Sequence, residues 1–151
     1  MDKGFIFLSM IDILLEITLI ISLIIIAIYD VKQRVISNRF LIALAAVRVI
    51  FFFVFCNFTL AKFLEITVVI SIGILIYMIL KGKIGAGDIK LIFVISLYLT
   101  TKEFIYAMFI TMMLMLISGI VLLSLRKSNR KSLVPLSPFI SLGTIIALIV
   151  V

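Results

Sequence analysis

Apolar residues run along this chain in six blocks, residues 13–29, 40–55, 63–80, 89–99, 104–125 and 136–151, separated by short polar stretches. Such blocks predict bilayer-crossing helices, and four of them approach the ~20 residues that a span needs. The fourth is short. A helix of about eleven residues rises only ~16 Å, so this block extends into its flanks or sits where the bilayer is thinned. The sixth reads either as a full span starting near Pro135 or as a shallow one. No internal repeat or low-complexity linker divides residues 1–151. The expectation is one all-α domain, a polytopic bundle of about six transmembrane helices.

Charge in the polar stretches sets the orientation. The loop after the first block carries Lys32, Arg34 and Arg39, and the glycine-rich loop carries Lys81, Lys83 and Lys90. The loop after the fifth block carries Arg126, Lys127, Arg130 and Lys131, so these three loops hold ten of the 14 basic residues. The opposite set, namely the N-terminus, the loop 57–62 and the loop 100–103, has only Lys3, Lys62 and Lys102. Basic loops stay in the cytoplasm, which puts the N-terminus outside. The N-terminus reads Met1-Asp2-Lys3-Gly4, without a basic run, and no small-x-small cleavage site precedes Tyr29-Asp30. The first block is therefore expected to be a retained span rather than a removed signal peptide.

Composition narrows the chemistry. With 66% hydrophobic and 14% charged residues and a mean hydropathy of +1.48, lipid must be the solvent for most of the chain. One Cys and no His exclude an internal disulfide and argue against Cys/His zinc sites and Ser-His or Cys-His catalysis. A pI near 9.8 would suggest nucleic acid in a soluble protein. Here the basic residues are orientation signals, and no nucleic-acid partner, cofactor or metal is expected.

Two acids stand out. Asp30 ends the first block and Asp88 opens the fourth, with two spans between them, so both lie at the inner face at similar depth. Carboxylates at a membrane boundary are costly and point to function by default. Two close carboxylates share one proton: the ionised member takes a proton from water while the protonated member polarises a scissile carbonyl. The plainer reading of Asp30 is a boundary acid paired with Lys32 or Arg34, and that of Asp88 is a helix N-cap. Gly85 and Gly87 permit positive φ and leave room for an extended peptide beside Asp88; their plainer reading is a turn.

Three stretches carry a resemblance. Tyr29-Asp30-Val31-Lys32-Gln33-Arg34-Val35-Ile36-Ser37-Asn38 resembles the first aspartate motif of type IV prepilin peptidases, and Gly85-Ala86-Gly87-Asp88-Ile89-Lys90-Leu91 resembles the second. Val134-Pro135-Leu136-Ser137-Pro138-Phe139-Ile140-Ser141-Leu142-Gly143 is similar to the family's Pro-x-x-Pro-Phe segment. The resemblance implies a membrane aspartyl endopeptidase of a bacterial or archaeal cytoplasmic membrane. Such an enzyme cuts basic leaders from prepilins or pseudopilins at the cytoplasmic face, after a Gly. It also implies Asp30 and Asp88 as catalytic residues, with Gly85, Gly87, Lys90, Asn38, Pro135, Pro138 and Gly143 in support. Ser37 stands where the family usually has Pro, which affects loop rigidity more than chemistry. The four-Cys motif of members that also N-methylate their product has no counterpart here, so methyltransferase activity is expected to be absent.

Basic leaders meeting basic loops repel over roughly a Debye length, ~8 Å, and anionic lipid headgroups are expected to hold both partners. Rival readings are an intramembrane protease similar to presenilin or signal peptide peptidase, or a non-enzymatic transporter or assembly protein. The former families place the two acids in successive spans. Among the other polar residues, Arg48, near the middle of the second block, is expected to pair with Glu16 or Glu65 or to snorkel outward. Asp12 and Glu16 belong to the outer interface. Cys56 reads as inert, and Met108, Met112, Met113 and Met115 read as packing residues.

Overall fold

A computed structural model describes residues 3–33, 36–55, 59–79, 85–124 and 135–150. These form six helices: α1 (Lys3–Gln33), α2 (Asn38–Phe55), α3 (Leu60–Ile79), α4 (Ala86–Tyr98), α5 (Thr101–Ser124) and α6 (Ser137–Val150). No strand occurs among the described residues. Four segments are long and apolar enough to cross a membrane: Met10–Gln33, Asn38–Phe55, Leu60–Ile79 and Thr101–Val121. The fold is the expected polytopic helical bundle. Arg34, Cys56, Lys81, Lys83, Arg126, Lys127, Arg130 and Lys131 lie outside the described residues.

The short fourth helix is the centre of the bundle. Its 13 residues rise only about 20 Å, and it touches each of the other five helices. Leu91, Val94, Ile95, Ser96, Leu97 and Tyr98 are all buried. An all-round apolar helix suits a protein core or a lipid span alike; what sets α4 apart is its place, with protein on most of its sides. By contrast, α3 buries none of its residues and forms an outer wall. α1 buries Leu15, Leu19, Leu23 and Ile26 at the three- and four-residue spacing of one helical stripe. Asp30 continues that stripe and is 6% exposed. α6 is also short, with 14 residues, and packs through Ser137, Ser141, Gly143, Thr144 and Ala147. Small residues let helix backbones approach closely in a membrane bundle.

Charges cluster at both ends of α4 in the sense its dipole requires. Asp88 stands in the first turn. At the other end, Arg48 Nε donates to the Leu97 carbonyl at 3.2 Å, and Lys62 Nζ donates to that of Leu99. These carbonyls belong to the last turn of the helix and the residue beyond it, where acceptors lack helical donors. α5 then starts with a reciprocal capping box. The Thr100 backbone N–H donates to Glu103 Oε2 at 2.7 Å, and the Glu103 N–H donates to Thr100 Oγ1 at 3.4 Å.

Arg48 differs from expectation. Its ion partner is Asp12, at 3.2 Å, rather than Glu16 or Glu65. Glu65 instead takes Lys62, at 3.0 Å, and the Thr101 hydroxyl, at 2.5 Å. The guanidinium also lies over the rings of Phe51, Phe52 and Tyr98, 4.8–5.6 Å from their centroids. Arg48→Ala is expected to lower stability by roughly 2–4 kcal/mol, since it removes a largely buried cation with several partners. Asp12→Asn should cost under about 1 kcal/mol, because that side chain is 45% exposed and the arginine keeps its carbonyl and rings. Thermal unfolding in detergent measures both. Equal losses would mean that the ion pair alone holds Arg48.

Candidate active site

Asp30 and Asp88 reach one cavity from different helices. It has a volume of about 270 Å³ and is lined by both acids, Ile36, Asn38, Gly85, Ala86, Gly87 and Lys90. Asp30 projects from the last turns of α1 and Asp88 from the first turn of α4. The residue spacing that gives the two acids the same parity thus ends in a shared space.

The loop entering α4 fixes Asp88. The N-cap is Gly85, with φ −62° and ψ 129°, so Asp88 is the third residue of the helix rather than its cap. Its backbone N–H donates to the Gly85 carbonyl at 3.0 Å, and its carboxylate folds back over the same residue. A Cβ on Gly85 would stand 2.9 Å from Asp88 Oδ2. One on Gly87 would stand 3.2 Å from Ile36 Cβ. Neither glycine uses the positive φ that both permit. What these positions require is space: Gly85 for the carboxylate, Gly87 for the chain entering α2.

The two acids sit in different surroundings. Asp88 is half-buried at the boundary of the apolar segment that begins with Ile89. Burial, and then the charge of Asp30, push its carboxyl up from 3.8 to about 6. Asp30 is buried, and its Oδ2 accepts a hydrogen bond from the Ser137 hydroxyl at 2.7 Å. Lys90, two residues beyond Asp88, donates from Nζ to Asn38 Oδ1 at 3.0 Å. That bond joins the starts of α2 and α4 at the edge of the cavity.

The structure therefore gathers six of the expected positions, Asp30, Asp88, Gly85, Gly87, Lys90 and Asn38, around one space. Pro135, Pro138 and Gly143 do not line it; Pro135 precedes α6, and the other two lie within it. Pro138 is the second residue of that helix, where a missing N–H breaks no helical bond. The Leu136 carbonyl accepts from the N–H groups of Phe139 and Ile140 at 3.1 and 3.2 Å. Gly143 faces α5, where a Cβ would stand 2.9 Å from the Ala107 carbonyl oxygen. The sequence pattern assigns no role to Ser137. Its only signal is a hydroxyl between two prolines at a helix start, and its partner is 107 residues away.

Two carboxylates in one small cavity, one with its protonation raised toward neutrality, can divide general-base and general-acid work on a water and a carbonyl. A family model described as the type IV leader peptidase family matches residues 17–120. That span includes Asp30, Asn38 and the Gly85–Lys90 stretch, and ends before the proline segment. No curated protein and no solved structure matches the chain.

Proposed function

This chain belongs to the type IV leader peptidase family, and from that membership we propose that it is an aspartyl endopeptidase removing basic leaders from prepilins or pseudopilins. The observation that carries this reading is the cavity lined by both Asp30 and Asp88. Asp88, with its carboxyl raised to about 6, holds the shared proton and polarises the scissile carbonyl. Asp30 accepts a proton from the attacking water, whose oxygen adds to the carbonyl carbon. The tetrahedral intermediate then breaks its C–N bond as Asp30 passes that proton to the departing amide nitrogen. Lys90 and Asn38 tie the two helix starts that bear on this space.

The six helices act as one domain over residues 1–151, and the contacts of α4 with every other helix support that reading. The basic loops orient the cavity toward the cytoplasm of a bacterial or archaeal cell. Anionic headgroups there bridge a basic leader to the basic loops. The test is co-expression with a pilin-like substrate bearing a basic leader and a Gly at the cut site. The expected product is shortened, cut after that Gly at the inner boundary, and has an unmethylated new N-terminus by mass. A cut within the bilayer would instead favour a presenilin-like mode, and no cut in any such substrate would overturn the proposal.

A further inference from the structure

Ser137 is the first residue of α6, is fully buried, and donates its hydroxyl proton to Asp30 Oδ2 at 2.7 Å. A serine at a helix start ordinarily caps backbone amides. Here the cap position is Leu136, whose carbonyl begins the helix, so the Ser137 hydroxyl is free to serve another chain segment. One turn further on, the Ser141 hydroxyl donates to the Leu23 carbonyl of the same partner helix, α1, at 3.1 Å. Two serines on one face of α6 thus clasp α1, and one of the two clasps ends on a carboxylate that faces the cavity.

We propose that Ser137 is a positioning residue: by holding Asp30 Oδ2, it fixes the carboxylate plane and leaves Oδ1 to meet the water in the cavity shared with Asp88. The proposal rests on the reading of Asp30 as the general base. A carboxylate at the end of a helix turns about its side-chain bonds unless a second group holds it. Both members are buried, so water does not compete for the bond, and a hydrogen bond to an ionised group is among the stronger kinds. Catalytic groups held this way by a neighbour lose rate, rather than substrate binding, when the neighbour is removed.

The experiment compares Ser137→Ala, Ser137→Cys and Ser141→Ala with the full-length chain in detergent or vesicles, using the pilin-like substrate. The readouts are kcat, KM and thermal unfolding. Ser137→Ala is expected to lower kcat about 10–100-fold with KM within about twofold. Ser137→Cys, nearly the same size with a weaker donor, should fall between it and the parent chain. Ser141→Ala loses the other clasp to α1. It should lower the unfolding temperature about as much as Ser137→Ala while changing kcat less than about twofold. A kcat for Ser137→Ala within about threefold of the parent, or a fall matched by Ser141→Ala, would overturn the positioning role. If Ser137→Ala does not accumulate, Ser137→Cys decides: a fall of about fivefold or more at unchanged KM supports the proposal, and a smaller fall overturns it. Asp30→Asn run alongside separates the two claims. Wild-type cleavage in that variant overturns the base assignment itself, whereas an inactive Asp30→Asn with an unaffected Ser137→Ala overturns only the role of Ser137.

Discussion

Asp30→Asn and Asp88→Asn should each reduce leader cleavage by at least about 10³-fold, since a shared-proton pair acts as a unit and loses nearly all its effect with either member. The product is read as a mobility shift and by mass. The two variants should diverge in stability, which makes the comparison informative. Asp88 has its carboxyl raised from 3.8 to about 6 by burial and by the charge of Asp30. The fold therefore favours its protonated form: the stabilisation is complete below pH 3.8 and is lost as pH rises through about 6. An amide in its place is neutral at every pH, so Asp88→Asn should raise the unfolding temperature at pH 7.5 and leave it little changed at pH 4. With the carboxylate half open to solvent, the effect is discounted to about 1 kcal/mol, or about 2–4 °C. The favourable placement of an anion in the first turn of α4 opposes this, which puts the expected rise at the lower end of that range. In the parent chain, kcat/KM should decline on the alkaline side of about pH 6 as Asp88 loses its proton. Cleavage that persists in both variants would sink the aspartyl mechanism.

How much of the site is legible in the sequence varies by residue, for physical reasons. The meeting of Asp30 and Asp88 is legible because span parity and a helix's fixed rise leave few places for a boundary acid to go. The partner of Arg48 is not. Asp12 and Glu16 are one helical turn apart on the same face of α1, and both line the space that holds Arg48, so which of them pairs with it depends on the depth at which α2 lies along α1. The apolar stripe through Leu19, Leu23 and Ile26 sets which face of α1 turns inward, not that depth. The pattern makes Asp88 a cap because the apolar block starts at Ile89. The helix in fact begins three residues earlier, through Ala86 and Gly87, where glycine's poor helix propensity hides the start. Ser137 is illegible for a different reason: a hydrogen bond across 107 residues leaves no periodic trace. Even the fourth block, visibly too short to cross a bilayer, gives no sign that the other five helices encase it.

Gly143→Ala should lower the unfolding temperature by about 5–10 °C, against the direction that helix propensity alone would give. Alanine is intrinsically the better helix residue by about 1 kcal/mol, and Gly119 provides the reference. A Cβ there meets nothing within 4 Å, so Gly119→Ala should be neutral or stabilising by up to about 1 kcal/mol. At Gly143 the same methyl would overlap the Thr111 hydroxyl and come within 2.9 Å of both the Ala107 carbonyl oxygen and the Thr111 backbone nitrogen. The hydroxyl can turn away only by giving up its bonds to the carbonyls of Ala107, at 2.7 Å, and Phe139, at 3.4 Å. The backbone atoms cannot move without separating α5 from α6, an overpacking cost of roughly 2–3 kcal/mol beyond the propensity gain. The double variant Gly143→Ala with Thr111→Ala divides the two contributions. It should recover only the part due to the hydroxyl, because two backbone contacts remain. Full recovery would mean that α5 and α6 can part without penalty at this point. Cleavage should fall together with stability, since Ser137 sits on α6 before Gly143, and a helix displaced at its middle carries its first turn away from Asp30.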